Sequence, residues 1–260
     1  MVNRDLTTSI IELAREAGRA IMLHYGGAAE SQEKEDRSPI TLADRAAHTI
    51  LVDGLHRLDP STPVISEEGA IAPMEERRAW RRFWLVDPLD GTKEFIKRRD
   101  EFTVNVALIE DGEPVLGVVL APALDLLYWA VKGDGAWRQQ GAAAAERIAS
   151  RTVPRGTPLI VVESLSHPSA ELEEYLATIP VARRVKAGSS LKFCWVADGR
   201  ADLYPRLGPT MEWDVAAGDC IYRQSGEDAE RSSPLTYNKP DLRNTSFVIG
   251  LPDPARSHVS

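Results

Sequence analysis

Twelve residues, Trp84-Leu85-Val86-Asp87-Pro88-Leu89-Asp90-Gly91-Thr92-Lys93-Glu94-Phe95, constrain the fold of this chain more than any other stretch. Trp84 to Val86 are apolar and read as the end of a buried strand. Pro88 has no N–H to give to a sheet ladder, so the strand is expected to stop there. Asp87 and Asp90 would then lie three residues apart on the turn that leaves it. Gly91 permits a positive φ or a close approach of the backbone to a ligand. Thr92 is placed to open the next helix, where free N–H groups favour an anion. Two hard oxygen donors beside such a helix start point to a divalent-metal phosphate site. An acidic turn followed by an ordinary helix cap has the same local pattern, and the motif alone does not choose between them.

The 260 residues suffice for one large domain or two coupled lobes with a full core. A hydrophobic fraction of 43% and a charged fraction of 27% are those of a soluble globular protein. The net charge of −8 argues against a nucleic acid polymer as partner, since binding one needs clustered cations. It leaves room for a small anion held through metal ions. Cys194 and Cys220 form neither a metal-ligand pattern nor a disulfide framework, which suits a reducing compartment. Without an apolar signal core or a bilayer-length apolar run, the expectation is a cytoplasmic protein. Peripheral contact with the inner face of the cell membrane stays open.

Ile10, Leu13, Ala14, Ala17, Ile21 and Tyr25 recur at helical spacing, predicting an amphipathic helix over 5–25 ended by Gly26-Gly27. The polar segment 30–38 reads as a solvated loop or a flap. A second helix is predicted from the Pro39-Ile40-Thr41-Leu42-Ala43-Asp44 opening to about Leu58. Thr41 and Asp44 are spaced as a capping box, and the alternative is that Asp44 accepts a proton from a water. Val64-Ile65 runs straight into Ser66-Glu67-Glu68-Gly69, another pair of acids at a strand end. The basic run Lys97-Arg98-Arg99 suits a helix C-terminus. Strands over 103–109 and 115–121 are joined by a Glu110-Asp111-Gly112-Glu113 hairpin, and 126–131 adds another strand. The first half therefore reads as two helices on a largely antiparallel sheet. Ala142 to Ala145 and the nearby Arg151 to Thr157 are expected to form the join between lobes. Strands are then expected over 159–162, 181–185 and 201–204, with helices over 170–178, 190–197 and 212–223. Asp214 lies near the start of the last helix, a common place for an acid for dipole reasons alone. The tail beyond Gly250 is expected to fray.

Four segments in one order, Pro39-Ile40-Thr41-x-Ala43-Asp44, Ser66-Glu67-Glu68, Asp87-Pro88-Leu89-Asp90-Gly91-Thr92 and Trp213-Asp214-x-Ala216-Ala217-Gly218, resemble the lithium-sensitive, magnesium-dependent phosphatase superfamily of inositol monophosphatase and fructose-1,6-bisphosphatase. The resemblance spans roughly 5–225. It implies an α+β fold, a layered α/β/α/β/α sandwich. Residues 1–145 would be an α+β lobe carrying most metal ligands, and 146–260 an α/β lobe carrying the last ligand and the nucleotide contacts. The stretches 90–97, Gly188-Ser189-Ser190-Leu191-Lys192-Phe193-Cys194 and Tyr204-Pro205-Arg206-Leu207-Gly208-Pro209-Thr210 are similar to the CysQ-type 3'(2'),5'-bisphosphate nucleotidase branch. That branch removes the 3'-phosphate of adenosine 3',5'-bisphosphate, a by-product of sulfate activation.

By this resemblance Glu67, Asp87, Asp90 and Asp214, with the Leu89 carbonyl, hold two or three Mg2+ ions. Asp44 and Thr92 activate the attacking water, and Gly91 and Thr92 contact the scissile phosphate. His167, Ser189, Lys192 and Arg206 match nucleotide-contacting positions. Four carboxylates in one cleft repel unless cations neutralise them, and Mg2+ accepts such oxygens while bridging phosphate. Lys192 and Arg206 supply charge for a second phosphate, Arg as a planar fork and Lys as a point charge. An inositol-type phosphatase and a non-catalytic nucleotide or lithium sensor are the competing readings. The chain leaves the branch's pattern at Ser225-Gly226-Glu227-Asp228-Ala229-Glu230-Arg231, which is short and charged. That departure puts in question a C-terminal edge strand and leaves the oligomer open between monomer and homodimer.

Overall fold

Asn3 opens the first helix, α1 (Arg4–His24), by accepting a hydrogen bond from Leu6 N at 2.8 Å. Ile10, Leu13, Ala14, Ala17 and Ile21 form its buried stripe. Two short strands, β1 (Ser31–Glu33) and β2 (Pro39–Thr41), pair antiparallel. β2 runs directly into α2 (Leu42–Leu58), so 39–41 is extended and the helix proper begins after Thr41. The computed structural model describes residues 2–26, 31–33, 39–154, 156–166, 169–226 and 231–250. His167 and the tail 251–260 lie outside them.

A seven-stranded sheet follows in strict chain order. Its strands are β3 (Val64–Ser66), β4 (Arg82–Asp90), β5 (Thr103–Glu110), β6 (Glu113–Ala121), β7 (Leu126–Val131), β8 (Gly135–Gln140) and β9 (Glu146–Ile148). Only β3 and β4 are parallel; a short helix, α3 (Met74–Arg77), makes that crossover. Asp111 and Gly112, both at positive φ, close the β5–β6 hairpin. The alanine run 142–145 lies in the hairpin joining β8 to β9. Neither strand shows a period-two apolar pattern: β8 ends in Gln139-Gln140, and β9 carries Glu146-Arg147.

Side chains alternate across the sheet as the pleat demands. Trp84, Val86, Val104, Val106, Leu116 and Val118 face α1 and α2. Phe83, Leu85, Ala107, Ile109, Val119 and Tyr128 face the opposite way. That second face is covered by α6 (Leu191–Ala197) and α7 (Glu212–Arg223).

Beyond those helices, β10 (Leu159–Ser164) and β11 (Val181–Ala187) are parallel, while β12 (Tyr204–Arg206) and β15 (Phe247–Ile249) are antiparallel. A single bridge between Val161 and Leu203 joins the two pairs. The strand expected over 201–204 therefore begins later. The Asp202 carboxylate takes the Ile160 N–H at 2.7 Å, a donor that a regular ladder would have used. The outermost helix, α5 (Ala170–Leu176), packs Leu172 and Leu176 on Leu159, Val161 and Leu203. Helices, large sheet, helices, small sheet and helix give the α/β/α/β/α order. β13 (Thr210–Met211) pairs with β14 (Arg243–Asn244) at the N-terminal end of α7. The questioned C-terminal edge strand is present as β15, paired with β12. Among the described residues no helix is long and apolar enough to cross a membrane.

Candidate active site

Pro88 does not end β4, contrary to the expectation from its missing N–H. Asp87 stands opposite Asn105 and Asp90 opposite Thr103, so β4 carries one residue more than β5 between these pairs. Pro88 sits within this bulge, where the ladder asks for no donor. The extra residue re-aims the strand end, and the Asp87 carboxylate accepts the Leu89 N–H at 3.1 Å. Gly91 then takes φ +90°, a conformation costly for any other residue, and leads into a short helix, α4 (Thr92–Ile96). Phe95 anchors α4, with its ring 5.4 Å from Tyr25 and 5.3 Å from Phe102.

Two other elements bring acids to Asp87. β3 lies parallel beside β4, and Glu67 N donates to Val86 O at 3.1 Å, which sets Glu67 next to the strand end. α7 approaches from the opposite half of the chain. Its close packing depends on small residues: a Cβ on Gly117 would lie 2.5 Å from Ala217 O, and one on Gly218 2.7 Å from Phe193 Cβ. Met211 N donates to Asp214 Oδ2 at 2.8 Å and fixes that carboxylate in the first turn.

Glu67, Asp87 and Asp214 consequently offer oxygens that all lie within 4.8 Å of one another. Asp90 is not a member of that set but stands next to it, its Oδ2 accepting from Ser189 Oγ at 2.6 Å. Burial, then the charges of Glu67, Asp90 and Asp214, hold the Asp87 carboxyl well above its ordinary range. Burial and the charge of Asp90 do the same for Asp214. Acids packed so tightly are strained as anions, and hard cations would relieve them. The donor set is all oxygen, the chemistry that suits Mg2+ or Ca2+ and not a thiolate-seeking metal.

The capping box of Asp44 is present, and its two oxygens have different partners. Oδ2 accepts from Thr41 N at 2.7 Å and Thr41 Oγ1 at 2.6 Å, completing the capping box of α2. Oδ1 faces Thr92 Oγ1 at 3.4 Å. The same hydroxyl lies 3.3 Å from the Leu89 carbonyl. Asp44 is 2% exposed, so Thr92 is its route to the cavity.

That cavity, of about 250 Å³, is lined by Asp90, Thr92 and Asp214 together with Lys192 and Arg206. Lys192 Nζ donates to the Ser189 carbonyl and lies 5.6 Å from the Tyr204 ring centroid. Burial lowers its pKa to about 8, against the opposing pull of Asp90. Arg206 gives one N–H to Pro209 O at 2.9 Å, while its buried Nε meets no acceptor among the described residues. Ser189 takes φ +53°, which turns its hydroxyl onto Asp90.

Sequence reasoning missed part of this wall. Asn105 bridges Asp90 Oδ2 at 3.4 Å and Ser190 Oγ at 3.0 Å, and Ser190 Oγ donates to the Asp214 carbonyl at 2.7 Å. Its signal was a polar residue on the face of β5 that otherwise carries Ala107 and Ile109. Glu94, 5% exposed, also lines the cavity and accepts from Ser166 Oγ. Nothing in its helical setting distinguished it from a surface acid.

The inositol monophosphatase family model matches residues 3–251. The 3'(2'),5'-bisphosphate nucleotidase CysQ of Escherichia coli O157:H7 is 49% identical over 247 residues, covering 93% of this chain and 98% of that protein. The protein of the same name from Buchnera aphidicola is 44% identical, covering 94% and 91%. Among solved structures, CysQ from Bacteroides thetaiotaomicron superposes with a TM-score of 0.81 at 40% identity, over 95% of this chain and 97% of that one. The Thermotoga maritima IMPase superposes at 0.75 and 25% identity, over 95% and 92%. A match over nearly the whole length, with three acids gathered from three separate elements at the end of one sheet, leaves a single conclusion: the chain belongs to the inositol monophosphatase family.

Proposed function

We propose that the protein is a magnesium-dependent 3'(2'),5'-bisphosphate nucleotidase, hydrolysing the 3'-phosphate of adenosine 3',5'-bisphosphate to AMP and phosphate in sulfur assimilation. The observation that carries this reading is the lining of one cavity, in which Asp90 and Asp214 share the walls with Lys192 and Arg206. A monophosphate needs only the carboxylate site, whereas a bisphosphate also uses the two cations. Its relatives of 44–49% identity that carry the nucleotidase name support the same choice.

On this reading Glu67, Asp87, Asp90 and Asp214, with the Leu89 carbonyl, hold two or three Mg2+ ions. When bound, the ions supply charge stabilisation for the attacking and leaving oxygens of an in-line displacement. The residues do the rest. Asp44 Oδ1 accepts the Thr92 hydroxyl proton, so that the hydroxyl oxygen is free to take one from the attacking water. Water oxygen bonds to phosphorus, the bond to the 3'-oxygen breaks, and that oxygen leaves with its electron pair and is protonated by solvent. Gly91 and Thr92 contact the scissile phosphate. Lys192 and Arg206 hold the 5'-phosphate, with Ser189 and His167 completing the nucleotide contacts.

Steady-state hydrolysis of adenosine 3',5'-bisphosphate and adenosine 3'-phosphate by wild type and Arg206→Met tests the layout. The variant should raise KM for the bisphosphate by about 10–100-fold, the worth of a charge-assisted pair. KM for the monophosphate should stay unchanged. Equal losses on both substrates would reject a second-phosphate site. The fold shared with the Thermotoga maritima IMPase keeps an inositol-type phosphatase as the second reading. A non-catalytic sensor would show no Mg2+-dependent phosphate release that Asp90→Asn removes.

A further inference from the structure

Residues 235–244 form a strap that runs along α7 from its last turn back to its first. Arg223 Nη2 donates to Leu235 O at 2.8 Å, and Tyr237 OH donates to Asp219 Oδ2 at 2.8 Å. At the far end β14 pairs with β13, and Glu212 N donates to Leu242 O at 2.9 Å. Between these points lies Glu212, whose side chain is 0% exposed. Its carboxylate accepts from Asn238 N at 2.7 Å, Lys239 N at 3.0 Å and Lys239 Nζ at 2.8 Å.

Arg77 grips the strap from the other side. It is 3% exposed, and it donates to Asn238 Oδ1 at 2.9 Å, Lys239 O at 3.1 Å and Pro240 O at 3.1 Å. Its Nε donates to Ala72 O at 2.9 Å, within the segment that leaves Glu67. Asn238 Nδ2 returns a bond to Arg77 O at 2.8 Å. One continuous set of bonds thus leads from the Glu67 segment, through Arg77 and the strap, to Glu212, which is two residues before Asp214.

A buried charge cluster of this kind is a poor source of stability compared with apolar packing, yet its directional bonds fix geometry. We propose that Arg77 and Glu212 are positioning residues that, through the strap, hold Asp214 at a set distance from Glu67 and thereby set the metal affinity of the carboxylate site. The proposal rests on the reading that Glu67, Asp87 and Asp214 hold Mg2+.

The test is Mg2+ binding by titration calorimetry on the full-length protein, below the melting temperature of every variant. Arg77→Met, Glu212→Gln and the milder Lys239→Met are compared with Leu172→Ala, which weakens the α5 layer far from the strap. Arg77→Met and Glu212→Gln should weaken Mg2+ binding by about tenfold, in the range that outer-shell partners of metal ligands command. Lys239→Met should move it the same way by less, and Leu172→Ala should leave it unchanged despite a lower melting temperature. Mg2+ affinities within about twofold of wild type in all three strap variants would overturn the positioning role. A wild-type protein that binds no Mg2+ would instead overturn the metal assignment beneath it.

Discussion

At the residue scale, Asp44 and Thr92 share one interaction but carry different burdens. Asp44 caps α2 through Oδ2 and faces Thr92 through Oδ1, so Asp44→Asn should lower both stability and turnover. Thr41 is the cap residue itself, worth about 0.5–2 kcal/mol, and Asp44 completes its box. Thr92→Ala should leave the melting temperature near wild type and lower kcat by about 10²–10⁴-fold, the usual contribution of a general base. Thr92→Ser should recover most of that loss, because it restores the hydroxyl. Lys192 makes a second prediction. With a pKa near 8 it loses its charge as pH rises through that value, and on the proposed function the 5'-phosphate then loses an anchor. The kcat/KM for the bisphosphate should therefore fall on the alkaline side with an apparent pKa of about 8. Lys192→Arg should move that fall to higher pH, and a pH profile of adenosine 3'-phosphate should lack it.

At the scale of elements, the position of α7 decides whether Asp214 reaches Asp87. Gly117 on β6 makes that approach possible, since a Cβ there would sit 2.5 Å from a backbone oxygen of α7. Gly117→Ala should destabilise the fold by about 1–3 kcal/mol through overpacking and weaken Mg2+ binding, both read in one thermal-shift series with increasing Mg2+. Much of this level was legible in advance. Apolar spacing placed α1 to within a residue and the end of α2 at Leu58, and the alternating strands of the large sheet were clear up to β7. The misreadings share a cause: local chemistry was outvoted by distant partners. Pro88 was expected to stop β4, but a bulge against β5 absorbs it. β8 and β9 carry too few apolar residues to announce themselves; β8 pairs with the edge that β7 offers, and β9 with the edge that β8 then offers. Asp202 delays β12 by capturing a backbone donor of β10. The roles of Asn105 and Glu94 need the fold: Asn105 lies in no motif, and Glu94, although inside the 84–95 stretch, has nothing local that marks it as lining a cavity. The convergence of Glu67, Asp87 and Asp214 was foreseen through motif resemblance; no periodicity in the chain encodes that meeting.

For the molecule as a whole, the buried acids link stability to pH and to metal. Asp87 and Asp214 have native pKa values raised above their unfolded ones. Such groups favour folding while both states are protonated, and that stability is lost as pH rises through the native pKa. Metal-free protein should therefore melt at lower temperature as pH rises from the ordinary carboxylate range toward neutrality. Saturating Mg2+ should flatten the trend. Asp87→Asn should raise the melting temperature of the metal-free protein, by about 2–4 °C for each kcal/mol of repulsion relieved. Unchanged melting would mean that the acids do not strain one another. The five-layer sandwich serves this arrangement by bringing the end of a mostly antiparallel sheet against a helix that follows almost the whole chain.

The most direct test of the central claim is phosphate release from adenosine 3',5'-bisphosphate and from inositol 1-phosphate by the purified protein, with Mg2+ and after its removal by chelation. Rapid release from the bisphosphate is expected, needing Mg2+ and returning when the ion is restored, with inositol 1-phosphate much the poorer substrate. Release that ignores Mg2+, or equal turnover of inositol 1-phosphate, would contradict that claim.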